Sequence, residues 1–165
     1  MKLFGIVGWK NSGKTTLVAR LVTDLKSRGF SVSTMKHAHH AFDLDQPGRD
    51  TYKHREAGAQ EVVISSSRRW AIMHELQRDE NYTLDDLLAK MQPVDIVLVE
   101  GFKSNAHPKI ETHRSQSEMP LVSAENKTII AVASDCDVDT NGLPCLNLND
   151  VPAVADYIIA QTGLG

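Results

Sequence analysis

Apolar residues run along this chain in blocks of two kinds, short continuous runs and longer stretches at helical spacing. Lys2-Leu3-Phe4-Gly5-Ile6-Val7 is a run of strand length. Behind it, Leu17, Leu21 and Leu25 recur at i, i+4, with Val18 and Val22 beside them. That spacing predicts a helix over 16–28, opening near Lys14 and burying one face on a sheet. Lys26 and Arg28 near its end and Gly29 after it are stop signals. Residues 30–35 suit a second strand, and the distance between the two strands fits a βαβ unit.

From Lys36 to Asp50 the periodicity disappears, which predicts a loop with Asp50 as N-cap of a short helix through Ala57. Residues 61–65 and 69–74 read as two strands of a local hairpin. Thr83 is placed to cap a helix over 84–91, whose inner face is Leu84, Leu87, Leu88 and Met91. Residues 94–99 form a nearly continuous apolar run, the mark of a parallel core strand. Further strands are expected at 110–113, 128–133 and 143–148, with 115–123 irregular. Asp150 and Val151-Pro152 open a final helix. This alternation predicts one domain over 1–165, an α/β fold with a mostly parallel central sheet and a small β excursion near 61–75.

Between the first strand and helix lies Gly8-Trp9-Lys10-Asn11-Ser12-Gly13-Lys14-Thr15, which fits G-x-x-x-x-G-K-[ST]. Strand before and helix after are the context this phosphate-binding loop requires, and they specify a three-layer P-loop nucleoside triphosphate hydrolase fold. Glycine at 8 and 13 lets the backbone amides approach phosphate oxygens. The helix N-terminus adds unpaired N–H groups. Lys14 can reach the β- and γ-phosphates, and the Thr15 hydroxyl can meet Mg²⁺. Thr16 follows as a helix residue near phosphate.

A second chemical station ends the run at 94–99. Glu100, followed by Gly101, can meet Mg²⁺ or an attacking water at the carboxyl edge of a parallel sheet, whereas Asp95 sits at the far end of the strand. Asp50 can cap a helix, reach Mg²⁺ indirectly or orient water. His37, His39 and His40 could contact phosphate, act as acids or bases or, with Asp43 and Asp45, ligate a metal, although spacing alone establishes no zinc site and a solvated loop explains them at least as well as catalysis. His54 and Arg55 suit either a substrate-facing or a decorative role, and Arg68 and Arg69 read as solvated charges. Lys103, Lys109 and Arg114 add positive charge, and Lys109 could organise a second phosphate or an interface. Asp135, beyond a core strand, could accept from guanine N1 and its exocyclic amine, or be a turn acid. No obvious arginine finger appears in the sequence, which predicts slow intrinsic turnover.

Composition narrows the classes. At 165 residues and a formal net charge of −3, with no Lys/Arg run and few aromatics, the chain is not expected to bind nucleic acid. The opening apolar run is cut short by the loop, unlike a signal peptide, and no stretch approaches the ~18 apolar residues of a membrane span. These features point to the cytoplasm. Cys136 and Cys145 give no disulfide framework and are expected reduced and partly buried.

Taken together, Gly8–Thr15, the histidine-rich 36–50 segment, residues 52–59, Val99-Glu100-Gly101-Phe102-Lys103 and the later strand ending near Asp135 resemble the molybdopterin-guanine dinucleotide biosynthesis adaptor family, MobB. The resemblance covers most of the chain. It implies a P-loop GTPase related to the signal-recognition and metal-insertion maturation GTPases. It further implies a GTP- and Mg²⁺-binding, dimeric accessory protein with weak hydrolysis. Such a protein assists the guanylyltransferase that joins GMP to molybdopterin, and does not transfer the guanylyl group itself. Contacts with molybdopterin or a molybdoenzyme apoprotein are part of the same expectation. The family's phosphate-binding role carries onto Gly8, Asn11, Ser12, Gly13, Lys14, Thr15 and Thr16, and its acidic metal station onto Glu100. Guanine recognition carries onto Asp135, although Ala133-Ser134-Asp135 departs from Asn-Lys-x-Asp. Lys14, Asp50 and Glu100 are the candidates for catalysis. The alternatives are a small P-loop kinase, for which no acceptor-binding lid is evident, and a nonenzymatic, nucleotide-controlled assembly module.

Overall fold

The computed structural model describes residues 1–38, 42–76 and 81–165. They divide into two compact units, one formed by 1–37 with 91–165 and the other by 38–90.

The larger unit is built on a six-stranded sheet in the order β2-β5-β1-β6-β7-β8. Its strands are β1 (Lys2–Val7), β2 (Val32–Lys36), β5 (Ile96–Glu100), β6 (Lys109–His113), β7 (Ile129–Ser134) and β8 (Cys145–Asn147). Every pairing in it is parallel. Parallel pairing sends all six carboxyl ends to one edge, so Gly8, Lys36, Glu100, Arg114, Asp135 and Asn147 share it. The order also reverses at β1: the chain passes from β5 on one side to β6 on the other. Ligands in open α/β sheets gather at such a switch point.

Two helices line one face. α1 (Lys14–Ser27) buries Leu17, Val18, Leu21 and Leu25, and α4 (Val151–Thr162) buries Val151, Val154, Ala155 and Ile158. They meet Phe4, Ile6, Ile96, Leu98, Ile110, Ala131 and Ala133 from alternate positions of the strands. Each buried Val, Leu, Ile or Phe among them contributes about 1.5–3 kcal/mol by leaving water. Asp150 caps α4, its carboxylate accepting from Ala153 N at 3.2 Å. On the opposite face the buried Glu111 accepts from Val122 N and Ser123 N, both at 2.8 Å, pinning a short 3₁₀ turn at Val122–Ala124.

In the smaller unit, α2 (Asp50–Glu56) precedes β3 (Glu61–Ser65) and β4 (Trp70–His74), an antiparallel hairpin, and α3 (Leu84–Ala89) follows. Thr83 caps α3 in a reciprocal capping box with Asp86. Arg55 donates to Asp43 and to Glu75 at 2.9 Å, cross-linking this unit.

Several expectations need correction. β2 starts at Val32 rather than Phe30, because Phe30 packs on the core and the Ser31 amide and hydroxyl donate to Asp95. Lys36 ends that strand and is not the start of a loop. The N-cap of α2 is Arg49, without a side-chain bond, and Asp50 is the first helical residue. The 115–123 stretch is not wholly irregular, since it runs into the 3₁₀ turn. Cys145 is exposed and only Cys136 partly buried. Lys109 is fully buried within this chain rather than free on its surface. Its ammonium donates to Asn105 O, to His107 O and Thr128 Oγ1 at 2.8 Å, and burial pushes its pKa down to about 8.

Candidate functional site

The loop from Gly8 to Thr15 leaves β1 at the centre of the carboxyl edge and enters α1 directly. Gly8 has φ +144°, and a Cβ there would lie 2.5 Å from Thr112 O and 2.6 Å from Ser12 Oγ. Gly13, the left-handed residue at the start of α1, has φ +93°. Asn11 is also left-handed at φ 65°, a conformation asparagine tolerates better than most residues. Ser12 turns inward, its hydroxyl 2.7 Å from Thr112 Oγ1, which donates in turn to Val7 O at 3.2 Å. Thr112 on β6 thus braces the loop from the neighbouring strand.

Lys14, Thr15 and Glu100 meet at the mouth of the loop. Thr15 Oγ1 lies 3.0 and 3.1 Å from the two Glu100 carboxylate oxygens, and Lys36 Nζ is 3.2 Å from Glu100 Oε1. Lys14 Nζ donates to Trp9 O at 2.6 Å. Burial lowers the Lys14 pKa; Glu100 opposes that shift, while Lys103 and Lys36 add to it. The Trp9 ring is held by its Nε1–H bond to Pro120 O at 2.7 Å, and Lys103 Nζ sits 4.6 Å from the ring centroid.

A cavity of about 320 Å³ opens over this loop, lined by Asn11, Gly13, Lys14, Thr15, Thr16 and Arg114. It gathers two cations and a helix N-terminus, the charge distribution that suits an anion. Hydroxyl and carboxylate oxygens are hard donors of the kind Mg²⁺ takes, usually one or two from protein with water and phosphate completing the shell. Thr15 and Glu100 fit that demand. Among the described residues no three His, Cys, Asp or Glu side chains converge on one point.

The profile of the family described as "Molybdopterin guanine dinucleotide synthesis protein B", MobB, matches residues 3–135. The chain belongs to the MobB family. It is 36% identical over 160 residues to the molybdopterin-guanine dinucleotide biosynthesis adapter protein of Escherichia coli K12, covering 95% of this chain and 91% of that one. The Haemophilus influenzae adapter protein is 37% identical over 158 residues, with 94% and 86% covered. A crystal structure of molybdopterin-guanine biosynthesis protein B superposes with a TM-score of 0.76 at 27% identity, over 96% of this chain and 99% of that one.

In this MobB-family chain, Gly8, Asn11, Ser12, Gly13, Lys14, Thr15, Thr16 and Glu100 come together as their sequence positions suggest. Asp95 stays away from them and accepts from the Ser31 amide at 2.7 Å. Asp135 lines a different cavity of about 520 Å³ farther along the same edge, with Ser134, Cys136, Cys145 and Asn147. Its Oδ1 accepts from Ser115 N at 2.8 Å. Asp50 lies in the smaller unit, exposed, with Lys53 Nζ 3.7 Å from its carboxylate. His37 stacks near Phe102, ring centroids 4.8 Å apart, and its amide donates to Glu100 O at 3.0 Å. His39 and His40 lie outside the described residues. No helix among those residues is long and apolar enough to cross a membrane.

Two residues at the loop escaped sequence reading. Thr112 has no motif around it. Arg114 appears in sequence only as scattered charge, yet its Nε would lie 2.8 Å from a Cβ on Gly13.

Proposed function

We propose that this chain is a Mg²⁺·GTP-binding adaptor with weak GTP hydrolysis that serves the guanylyltransferase of molybdopterin guanine dinucleotide synthesis. The observation that carries this reading is the meeting of Lys14, Thr15 and Glu100 at the mouth of a glycine loop that opens a helix. Membership of the MobB family, and relatives named as biosynthesis adapter proteins, supply the pathway. In this reading the loop amides and Lys14 hold the polyphosphate. Thr15 and Glu100 hold Mg²⁺, whose positive charge would offset that of the phosphates. Lys14 gives up its bond to the Trp9 carbonyl for the phosphate. Water attacks the γ-phosphorus, the bond to the β–γ bridging oxygen breaks, and GDP and phosphate leave. Glu100 and Asp50 are the candidates for ordering that water. Asp135 is the candidate for accepting from the guanine edge, with the cavity beside it sized for a planar base.

A homodimer is part of the reading. Val63, Trp70 and Ile72 share one face of the β3–β4 hairpin and are 62%, 63% and 49% exposed, an apolar surface suited to a second copy. The adaptor would act in the cytoplasm beside the transferase and contact molybdopterin or a molybdoenzyme apoprotein there. Calorimetry with GTP and ATP in Mg²⁺, with Lys14→Ala alongside, tests the core of it. Preference for GTP that collapses in the variant is expected. Preference for ATP would instead favour a small kinase, with phosphate passed to an acceptor other than water.

A further inference from the structure

Arg114 is the cation at the loop that the phosphate-loop motif leaves without a role. It follows β6, on the side of β1 opposite to β5 and Glu100. Its guanidinium lies against Gly13, and its Nε is buried without a hydrogen-bond partner among the described residues. Nor does any described carboxylate come within ion-pair distance of it. We propose that Arg114 is a phosphate-binding group supplied by this chain itself, gripping the α- and β-phosphates of the nucleotide from the side opposite the metal station. The proposal rests on the Mg²⁺·GTP reading above and adds a residue to it.

Electrostatics supports this assignment. Arg114, Lys14 and the N-terminus of α1 bring like charge to one cavity. Guanidinium cannot relieve such crowding by losing its proton, so a polyanion is the natural complement. An N–H left unpaired in a buried position is costly, and a phosphate oxygen would satisfy it. The planar fork suits two oxygens at once.

Position selects the inner phosphates. Glu100, Thr15 and Lys36 mark the terminal-phosphate and metal side of the loop. Arg114 lines the same cavity as Asn11, Gly13, Lys14, Thr15 and Thr16 but enters it from the β6 side of β1, away from β5 and Glu100. Its backbone is fixed before any ligand arrives. Thr112, two residues earlier, is bonded to Ser12 and Val7, while Ser115 N donates to Asp135 and Ser117 N to Arg114 O at 2.8 Å. The backbone on both sides of the arginine is therefore tied down, and Thr112 ties it to the loop, which lowers the ordering cost of binding.

The test is the affinity of the full chain for GTP and GDP in Mg²⁺, for wild type, Arg114→Gln, Arg114→Lys and Lys14→Ala, with the ligand-free Tm of each. Arg114→Gln is expected to weaken GTP and GDP by a similar factor, roughly tenfold to a hundredfold, as loss of charged hydrogen bonds does. Arg114→Lys, which keeps charge and loses the fork, should fall between. Wild-type affinity in Arg114→Gln overturns the proposal. A loss for GTP but not GDP overturns the assignment to the inner phosphates. Should Arg114→Gln melt well below wild type, Arg114→Lys decides: undiminished affinity for both nucleotides overturns the proposal. If Lys14→Ala loses binding while both Arg114 variants keep it, the underlying reading stands and this proposal alone fails. If the folded wild type binds neither nucleotide, both fail.

Discussion

Thr15 Oγ1 and the Glu100 carboxylate lie in contact across the junction of α1 and β5, at 3.0 and 3.1 Å, although 85 residues separate them in sequence. The hydroxyl donates to an acid that Lys36 also approaches. This arrangement holds two hard oxygen donors side by side, as the proposed Mg²⁺ site requires. Glu100→Gln keeps the shape and removes the charge. Its expected effect is at least a tenfold loss of Mg²⁺-dependent GTP affinity, with metal-free affinity little changed. Titrations with Mg²⁺ and with EDTA give both numbers. An equal loss in each would mean that Glu100 shapes the loop rather than serving the ion.

Gly8 sits where backbone conformation and space both exclude a side chain. At φ +144°, with Thr112 O only 2.5 Å from a would-be Cβ, alanine must displace the β6 backbone. Gly8→Ala should therefore lower stability by about 2–4 kcal/mol and abolish nucleotide binding. Urea denaturation followed by calorimetry checks both. A stable variant with intact binding would show that the loop yields more readily than its packing implies.

The legible parts of this molecule are those with local causes. Helical spacing of Leu17, Leu21 and Leu25 gives α1, and the apolar run ending at Glu100 gives β5. The loop spelling gives the turn between β1 and α1. What the sequence hides depends on register between distant strands. Val7 pairs with Glu111, and only that pairing brings Thr112 to Ser12 and Arg114 to Gly13. Likewise Phe30 and Ser31 have strand-compatible side chains, but tertiary partners in the core and at Asp95 hold them outside β2.

His107 makes stability sensitive to acid. Its ring lies over Gly5 beside Lys109, and both ring nitrogens are buried without a hydrogen-bond partner among the described residues. Desolvation, and then the Lys109 charge, push its pKa down to about 4 from the ordinary 6.5. The unfolded chain thus takes up a proton between pH 6.5 and 4 that the folded chain refuses, and stability falls as pH drops through that window. The full shift would correspond to about 3 kcal/mol, reduced by screening because the ring is only partly buried. Urea midpoints at pH 7 and pH 5 should differ more for wild type than for His107→Gln. Equal differences would place the acid sensitivity elsewhere.

The hairpin of the smaller unit offers the test of assembly. Register pairs Val63 with Ile72 and Ser65 with Trp70, so Val63, Ile72 and Trp70 stand on one side of the two strands. Three large apolar side chains this exposed would cost solubility in a lone protomer and gain by pairing with a second copy. Replacing Trp70 by serine removes the largest of them from a mostly exposed position, so the protomer should stay folded. Sedimentation velocity is expected to show a dimer for the wild type and at least a tenfold weaker association for Trp70→Ser, in line with the weight of aromatic anchors in interfaces. Should Trp70→Ser sediment as wild type at every concentration, the dimer would have to be held by another surface. The hairpin face would then be left for the transferase, and a pull-down comparing the two proteins would show the loss there instead.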